Sequence, residues 1–266
     1  MDDRPIAFFD SGVGGLPYLA LARDRLPSED FRYLADRANF PYGTKGHDEL
    51  LGLILRAVDR FVALVDPKLV VIACNTASVV ALEALRNCHP DLPFIGTVPA
   101  IKPAAERSSA RRIGILATRR TVGDPYSQML VDKFARDCEV TKIAGSDIVE
   151  FVEHRYFGSG AEERMAVVAE AIEAFKEAGV DQVVLGCTHF LYLRPEIEAM
   201  LGPGVGLVDS REGVVSRLVS VLTERDAYRA PGSAGSGRFY LSGREPFGPD
   251  HEGFAAMFGL KLGGLV

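Results

Sequence analysis

The 266-residue chain carries 30 Lys and Arg against 36 Asp and Glu, for a net charge of −6, with 47% hydrophobic and 25% charged residues. That balance excludes a disordered polyelectrolyte and offers no long-range attraction for phosphate backbones or anionic lipid, so neither nucleic acid nor a membrane surface is expected as a partner. The length gives room for one large domain or two of about 100–200 residues each. The acidic start MDDRPIAFF is not a secretory signal and no apolar run reaches the ~18 residues of a bilayer span, so a cytoplasmic protein is expected.

The first strand, IAFF at 6–9, runs into the polar, glycine-rich turn DSGVGG at 10–15. This turn has neither the Lys-Ser/Thr ending of a P-loop nor the Gly-x-Gly-x-x-Gly spacing, so its glycines read as turn or close-approach residues. A second strand, FRYLA at 31–35, precedes the turn FPYGTKG. Residues 48–65 then place Leu51, Ile54, Leu55, Val58, Phe61, Val62 and Val65 on one helical stripe, with Arg56, Asp59 and Arg60 away from it. Further strands are LVVIA at 69–73, FIGTV at 94–98, IGILA at 113–117, VVLG at 183–186 and VGLV at 205–208. Strands alternating with helices predict an α/β fold with mainly parallel sheets. RAPGSAGSGR at 229–238 reads as a flexible loop, after which a strand-like RFYLS and a short helical HEGFAAMFGL complete a lobe.

Two stretches repeat each other. ALVDPKLVVIACNT and EAGVDQVVLGCTH share the order helix end, turn, strand, thiol, threonine, and PIAFFDSGVGG is echoed by RIGILATRRTVG. The repeat predicts two similar, pseudo-twofold-related α/β lobes, each delivering a cysteine from the carboxyl end of a strand, with an active site in the cleft between them. The four cysteines include no Cys-x-x-Cys, which excludes a zinc ribbon or a dithiol oxidoreductase, and no metal is expected. Cys88 and Cys138 lack the repeated context and read as structural or incidental.

A cysteine at a helix start meets free backbone N–H groups and the positive end of the helix dipole, which favour its thiolate. With an unperturbed pKa of ~8.5 it still needs a proton acceptor nearby at neutral pH. Asp10, ending the strand IAFF, is the candidate for Cys74. His189, two residues beyond Cys187, is the candidate in the second half, with Glu150 or Glu153 of IVEFVEH behind it. Two such bases on opposite faces of one small molecule can remove a Cα proton from one side and return one on the other, inverting the centre. Ser11, Asn75, Thr76 and Thr188 suit binding of the substrate carboxylate, with Tyr42 and Gly43 as further donors.

DSGVGG (10–15), YLADRANFPYG (33–43), ACNTAS (73–78), VPAIKPA (98–104) and LGCTHF (185–190), in this order, make the chain similar to glutamate racemases of the aspartate/glutamate racemase family, from about residue 5 to 220. The resemblance implies a cofactor-independent interconversion of L- and D-glutamate that supplies D-glutamate for peptidoglycan. Cys74 and Cys187 would be the proton donor/acceptors, with Asp10, His189 and Glu153 as auxiliary groups. Glutamate would be held by Asp10, Ser11, Pro41, Tyr42, Gly43, Asn75, Thr76, Thr118, Thr121, Thr188 and His189. It also implies one domain of 1–98 with 210–266 and another of 99–209, and leaves a homodimer possible. Members commonly carry proline where this chain has Leu191, so the loop after Cys187 is expected to differ in shape.

Other readings remain open at the level of sequence. The thiol pair does not fix side-chain length, so aspartate or another amino acid is an alternative substrate. CTHFLYLR offers a cysteine phosphatase with a Cys-x6-Arg spacing one residue too long, and the internal repeat alone would fit a two-lobed binding protein without catalysis. Lys45 and Lys102 lie in predicted turns, and nothing marks either as a Schiff base to pyridoxal phosphate.

Overall fold

The computed structural model describes residues 1–230, 232 and 234–266. It divides into two compact units, Met1–Thr97 with Arg211–Val266, and Val98–Ser210. The first unit begins β1 (Ile6–Asp10), α1 (Leu16–Arg25), β2 (Phe31–Ala35), two single 3-10 turns at Arg37–Asn39 and Tyr42–Thr44, α2 (His47–Val65), β3 (Leu69–Ile72), α3 (Asn75–Cys88) and β4 (Phe94–Gly96). Every residue of β1 and β3 is buried, as expected of parallel strands covered by helices on both faces. Helix α2 places Asp48 and Glu49 in its first turn, where they complement the positive end of the helix dipole, and it stops at Asp66 in a left-handed conformation. Its buried face is centred on Leu50, Ile54, Ala57, Val58 and Phe61. Leu51, Leu55, Val62 and Val65 of the predicted stripe pack at the margin, partly buried. The stripe is wider than the contact, and Ala57, which weighs little in a hydrophobic pattern, lets the helix lie close to the sheet.

The second unit runs α4 (Ile101–Arg107), β5 (Arg112–Ala117), α5 (Arg119–Gly123), α6 (Pro125–Phe134), β6 (Glu139–Ala144), α7 (Ser146–Arg155), α8 (Ala161–Glu177), β7 (Gln182–Leu185), a 3-10 stretch at Thr188–Leu193, α9 (Arg194–Leu201) and β8 (Gly206–Val208). The chain then returns to the first unit with α10 (Arg211–Glu224), β9 (Gly237–Leu241), α11 (Pro249–Met257) and β10 (Lys261–Leu265). Strand β9 pairs with β2 and β10 with β9. The sheets therefore run β10-β9-β2-β1-β3-β4 and β6-β5-β7-β8, and every pairing is parallel. The expected α/β class holds, and the two units share a core order of second, first, third and fourth strand. In such open sheets the direction of winding reverses between the first and third strands, and ligands bind outside the carboxyl ends there. Among the described residues no helix is long and apolar enough to cross a membrane.

The expected flexible loop at 229–238 includes Pro231 and Ser233, which lie outside the described residues. Around them the chain is tied down: Arg229 N donates to Glu29 at 2.8 Å, Gly235 N to the Pro27 carbonyl at 2.8 Å and Ser236 N to Asp30 at 2.6 Å. The same corner holds a buried ion pair between Lys68 Nζ and Glu29 Oε2 at 2.6 Å, with side chains 1% and 3% exposed. Lys68 also donates to the carbonyls of Asp2 and Ala227, so one ammonium joins the chain start, β3 and the segment after α10. Removing one member of a buried pair leaves the other charge uncompensated, at a cost of about 3–5 kcal/mol. Lys68→Met is expected to destabilise the protein by about 3 kcal/mol or more, measured as a lowered urea midpoint. An unchanged midpoint would show that Glu29 does not rely on it.

Candidate active site

In the first unit the pairing Phe9↔Ile72 between β1 and β3 brings Ser11 and Cys74, each two residues further on, to one end of the sheet. Cys74 is the N-cap of α3, its sulfur accepting from Ala77 N at 3.5 Å. The thiol lies 3.8 Å from Ser11 Oγ, and the Ser11 hydroxyl donates to Asp10 Oδ1 at 3.1 Å. A path of hydrogen bonds thus runs from Cys74 through Ser11 to a fully buried carboxylate. Asp10 also accepts from Gly12 N at 3.0 Å. The turn is braced by Tyr33, whose hydroxyl donates to Gly12 O at 2.8 Å and accepts from Gly15 N at 3.0 Å. A Cβ on Gly15 would stand 2.8 Å from Ala73 Cβ and 3.1 Å from Asp10 Oδ2, so this glycine is a close-approach residue.

Asn75, next to Cys74, is 4% exposed, and neither polar atom of its amide has a hydrogen-bond partner among the described residues. A buried amide without partners costs free energy unless a ligand satisfies it. Thr76 is also buried, whereas Ser78 serves the fold by donating to Ile72 O and accepting from Thr97 N. Tyr42 and Cys74 belong to one apolar cluster. The Tyr42 hydroxyl donates to Asp36 Oδ2 at 2.5 Å. Burial, and then the Asp36 charge, push the Tyr42 phenol well above its usual range, so the ring stays neutral and its proton is committed to Asp36. Pro41, whose bond to Phe40 is cis, and the exposed Gly43 flank it.

In the second unit Leu116↔Leu185 sets Thr118 and Cys187 beside each other in the same way. Thr118 caps α5, and its hydroxyl donates to Thr121 Oγ1 at 3.0 Å. Cys187 Sγ lies 3.7 Å from His189 Nδ1, and His189 Nε2 lies 2.5 Å from Glu153 Oε1. His189 and Glu153 are 2% and 5% exposed. Thr188 Oγ1 is 3.5 Å from His189 Nδ1. Of the two candidate acids, Glu153 meets the imidazole, while Glu150 is half-exposed beside His154. Burial would lower the His189 pKa, but hydrogen bonds with Cys187 and Glu153 and their charges outweigh it and hold the imidazole well above its ordinary value. The second thiol therefore has a proton-holding ring behind it, and the first has a hydroxyl and a carboxylate.

Three residues without an assigned role from sequence shape the first thiol's surroundings. Asp36 accepts from Asn39 and from Ser242 Oγ, at 2.9 and 2.6 Å, as well as from Tyr42. An acid ending the buried strand FRYLA was the available signal for Asp36. Tyr33 and Ser242 gave none, because their partners depend on strand pairing. Arg194, the arginine of the Cys-x6-Arg spacing, is paired with Glu198 at 2.8 Å and Asp209 at 2.9 Å, which removes the observation behind a phosphate loop. Lys102 is helical in α4, not in a turn, and exposed near Glu106.

A family model described as Asp/Glu/hydantoin racemase matches residues 19–218. The glutamate racemase of Shewanella sp. (strain MR-7) is 42% identical over 221 residues, covering 83% of this chain and 80% of that one. Escherichia coli glutamate racemase, solved in complex with L-glutamate and activator UDP-MurNAc-ala, superposes with a TM-score of 0.85 at 32% identity, covering 98% and 97% of the two chains. Glutamate racemase from Francisella tularensis subsp. tularensis SCHU S4, in complex with D-glutamate, gives 0.81 at 26% identity, covering 100% and 97%. With its fold, its paired strand-end thiols and these matches in agreement, the chain belongs to the Asp/Glu/hydantoin racemase family.

Proposed function

We propose that the chain interconverts L- and D-glutamate without a cofactor, with Cys74 and Cys187 as the two proton donor/acceptors, and so supplies D-glutamate for peptidoglycan. The observation that carries this reading is the occurrence, at equivalent ends of two equivalent strand pairs, of a buried cysteine with its own hydrogen-bonded proton acceptor. Glutamate as substrate is supported by the relatives, which are glutamate racemases at 42% identity.

In either direction one cysteine acts as thiolate and the other as thiol. The thiolate takes the Cα proton as the C–H pair moves into the substrate carboxylate, and the thiol gives its proton to the opposite face of the same carbon. Each turnover exchanges the roles of the two sulfurs. Reaction requires each sulfur within about 3–3.5 Å of Cα. The unpartnered amide of Asn75 and the N–H groups at the start of α3 suit the carboxylate whose negative charge grows as the proton leaves. Asp10, through Ser11, accepts the proton that makes Cys74 a base; His189, steadied by Glu153, does so for Cys187.

Cys74→Ser and Cys187→Ser are each expected to lower racemisation of glutamate by about 10³-fold, within the range of a lost general acid or base, measured by circular dichroism with L-aspartate as comparison. In heavy water the two variants should differ in which enantiomer still exchanges its Cα proton. Full activity in both variants would refute the two-thiol reading, and faster turnover of aspartate would refute the substrate.

Removing the Glu153 charge is expected to lower the His189 pKa, seen as a shift to lower pH of its imidazole signals in Glu153→Gln. Because the folded value is raised, its stabilising contribution is fully present below the unfolded value of about 6.5 and is lost as pH rises through the folded value. The stability deficit of Glu153→Gln should therefore be largest below about pH 6.5 and narrow at alkaline pH, measured by urea unfolding. A deficit that grows with pH would contradict this assignment.

A further inference from the structure

Within the first unit, a cavity of about 540 Å³ lies where the carboxyl ends of β2, β9 and β10 meet α2. It includes neither thiol nor any residue assigned above to glutamate. Three arginines line it: Arg56 and Arg60, one turn apart on α2, and Arg244 in the turn after β9. Elsewhere arginines of this chain find carboxylates, as Arg25 does with Glu212 and Arg217 with Glu224. Among the described residues Arg56, Arg60 and Arg244 have none. Arg60 Nε instead donates to the Arg56 carbonyl at 3.3 Å. Like charges one helical turn apart repel, and the three exposed guanidinium groups outnumber the one anionic group on the same concavity, the terminal carboxylate of Val266, which accepts from Gly243 N at 3.1 Å, so the local field is positive in a chain whose net charge is −6.

The walls are preformed. Gly243 is held at φ +99°, and a Cβ there would stand 3.2 Å from Ala38 Cβ, so only glycine brings this turn so close to the segment after β2. Arg37 clamps the same turn through the carbonyls of Glu245 and Pro246, and Ser242 Oγ accepts from Ala38 N at 2.9 Å. Leu53 and Leu265 add apolar surface.

We propose that this pocket binds a small phosphate-bearing organic anion. A single guanidinium fork satisfies a carboxylate, whereas three match the charge and the three acceptor oxygens of a phosphate dianion. The leucines suit an apolar body, and the volume falls within the range of small-ligand sites.

Calorimetric titration with phenyl phosphate and with inorganic phosphate tests the assignment without using turnover. Wild-type protein is expected to bind phenyl phosphate saturably and more tightly than inorganic phosphate, with affinity falling as salt is added. Losing the arginine contacts in Arg56→Gln/Arg60→Gln or in Arg244→Gln should weaken binding about tenfold or more, with circular dichroism unchanged. In the wild-type protein the amide resonances of Asn39 and Gly243 should move on titration, a readout independent of how the variants fold. Absence of saturable binding, equal affinity for the two phosphates, unchanged affinity in the folded variants, or amide shifts confined to residues around Cys74 would each overturn the proposal.

Discussion

Adjacent parallel strands end on the same edge of a sheet, so residues just past their paired positions are forced together whatever their distance in sequence. The Phe9↔Ile72 pairing puts Ser11 beside Cys74, and Leu116↔Leu185 puts Thr118 beside Cys187. The backbone repeats the match: Ala73 N donates to Phe9 O at 2.8 Å and Gly186 N to Leu116 O at 2.7 Å. A slip of one residue in either ladder would turn the following side chains to the other face and part each cysteine from its neighbour. The surroundings of both cysteines rest on register before they rest on any side chain.

Equivalent backbones carry unlike hydrogen-bonded chains behind their cysteines. Asp10 sits at the end of its own strand and reaches Cys74 through Ser11, a neighbouring hydroxyl. His189 comes from the 3-10 stretch that follows Cys187, and Glu153 from α7 supports it. An imidazole between a sulfur and a carboxylate can itself store a proton, which a serine hydroxyl cannot do near neutral pH. The two thiols therefore have neighbours of different acid–base character.

Much of this was legible in the sequence where the signal was local. The buried strands read as apolar runs, the cysteine repeat marked corresponding strand ends, and Asp10 and His189 stood within a few residues of a turn or a thiol. What depends on pairing between distant segments was not legible. Strands β6 and β10 escaped notice because EVTKIA is half polar and only partly buried and KLGGL holds two glycines on an exposed edge. Glu150 and Glu153 are both plausible on one helix, and only packing against His189 separates them. The Asp36 hub joins Tyr42, Asn39 and Ser242, of which the last is 206 residues away; no local pattern announces such a partner.

The return of the chain to its first sheet also constrains how the molecule is made. Strand β2 takes its outer neighbour from β9, near the end of the sequence, while the whole second unit is spelled out in between. As the polypeptide leaves the ribosome, β2 has an unsatisfied row of backbone donors and acceptors until β9 emerges, and such an edge invites pairing with another nascent chain. Truncation there would strip a ladder from the strand that leads into Asp36, far in sequence from either cysteine.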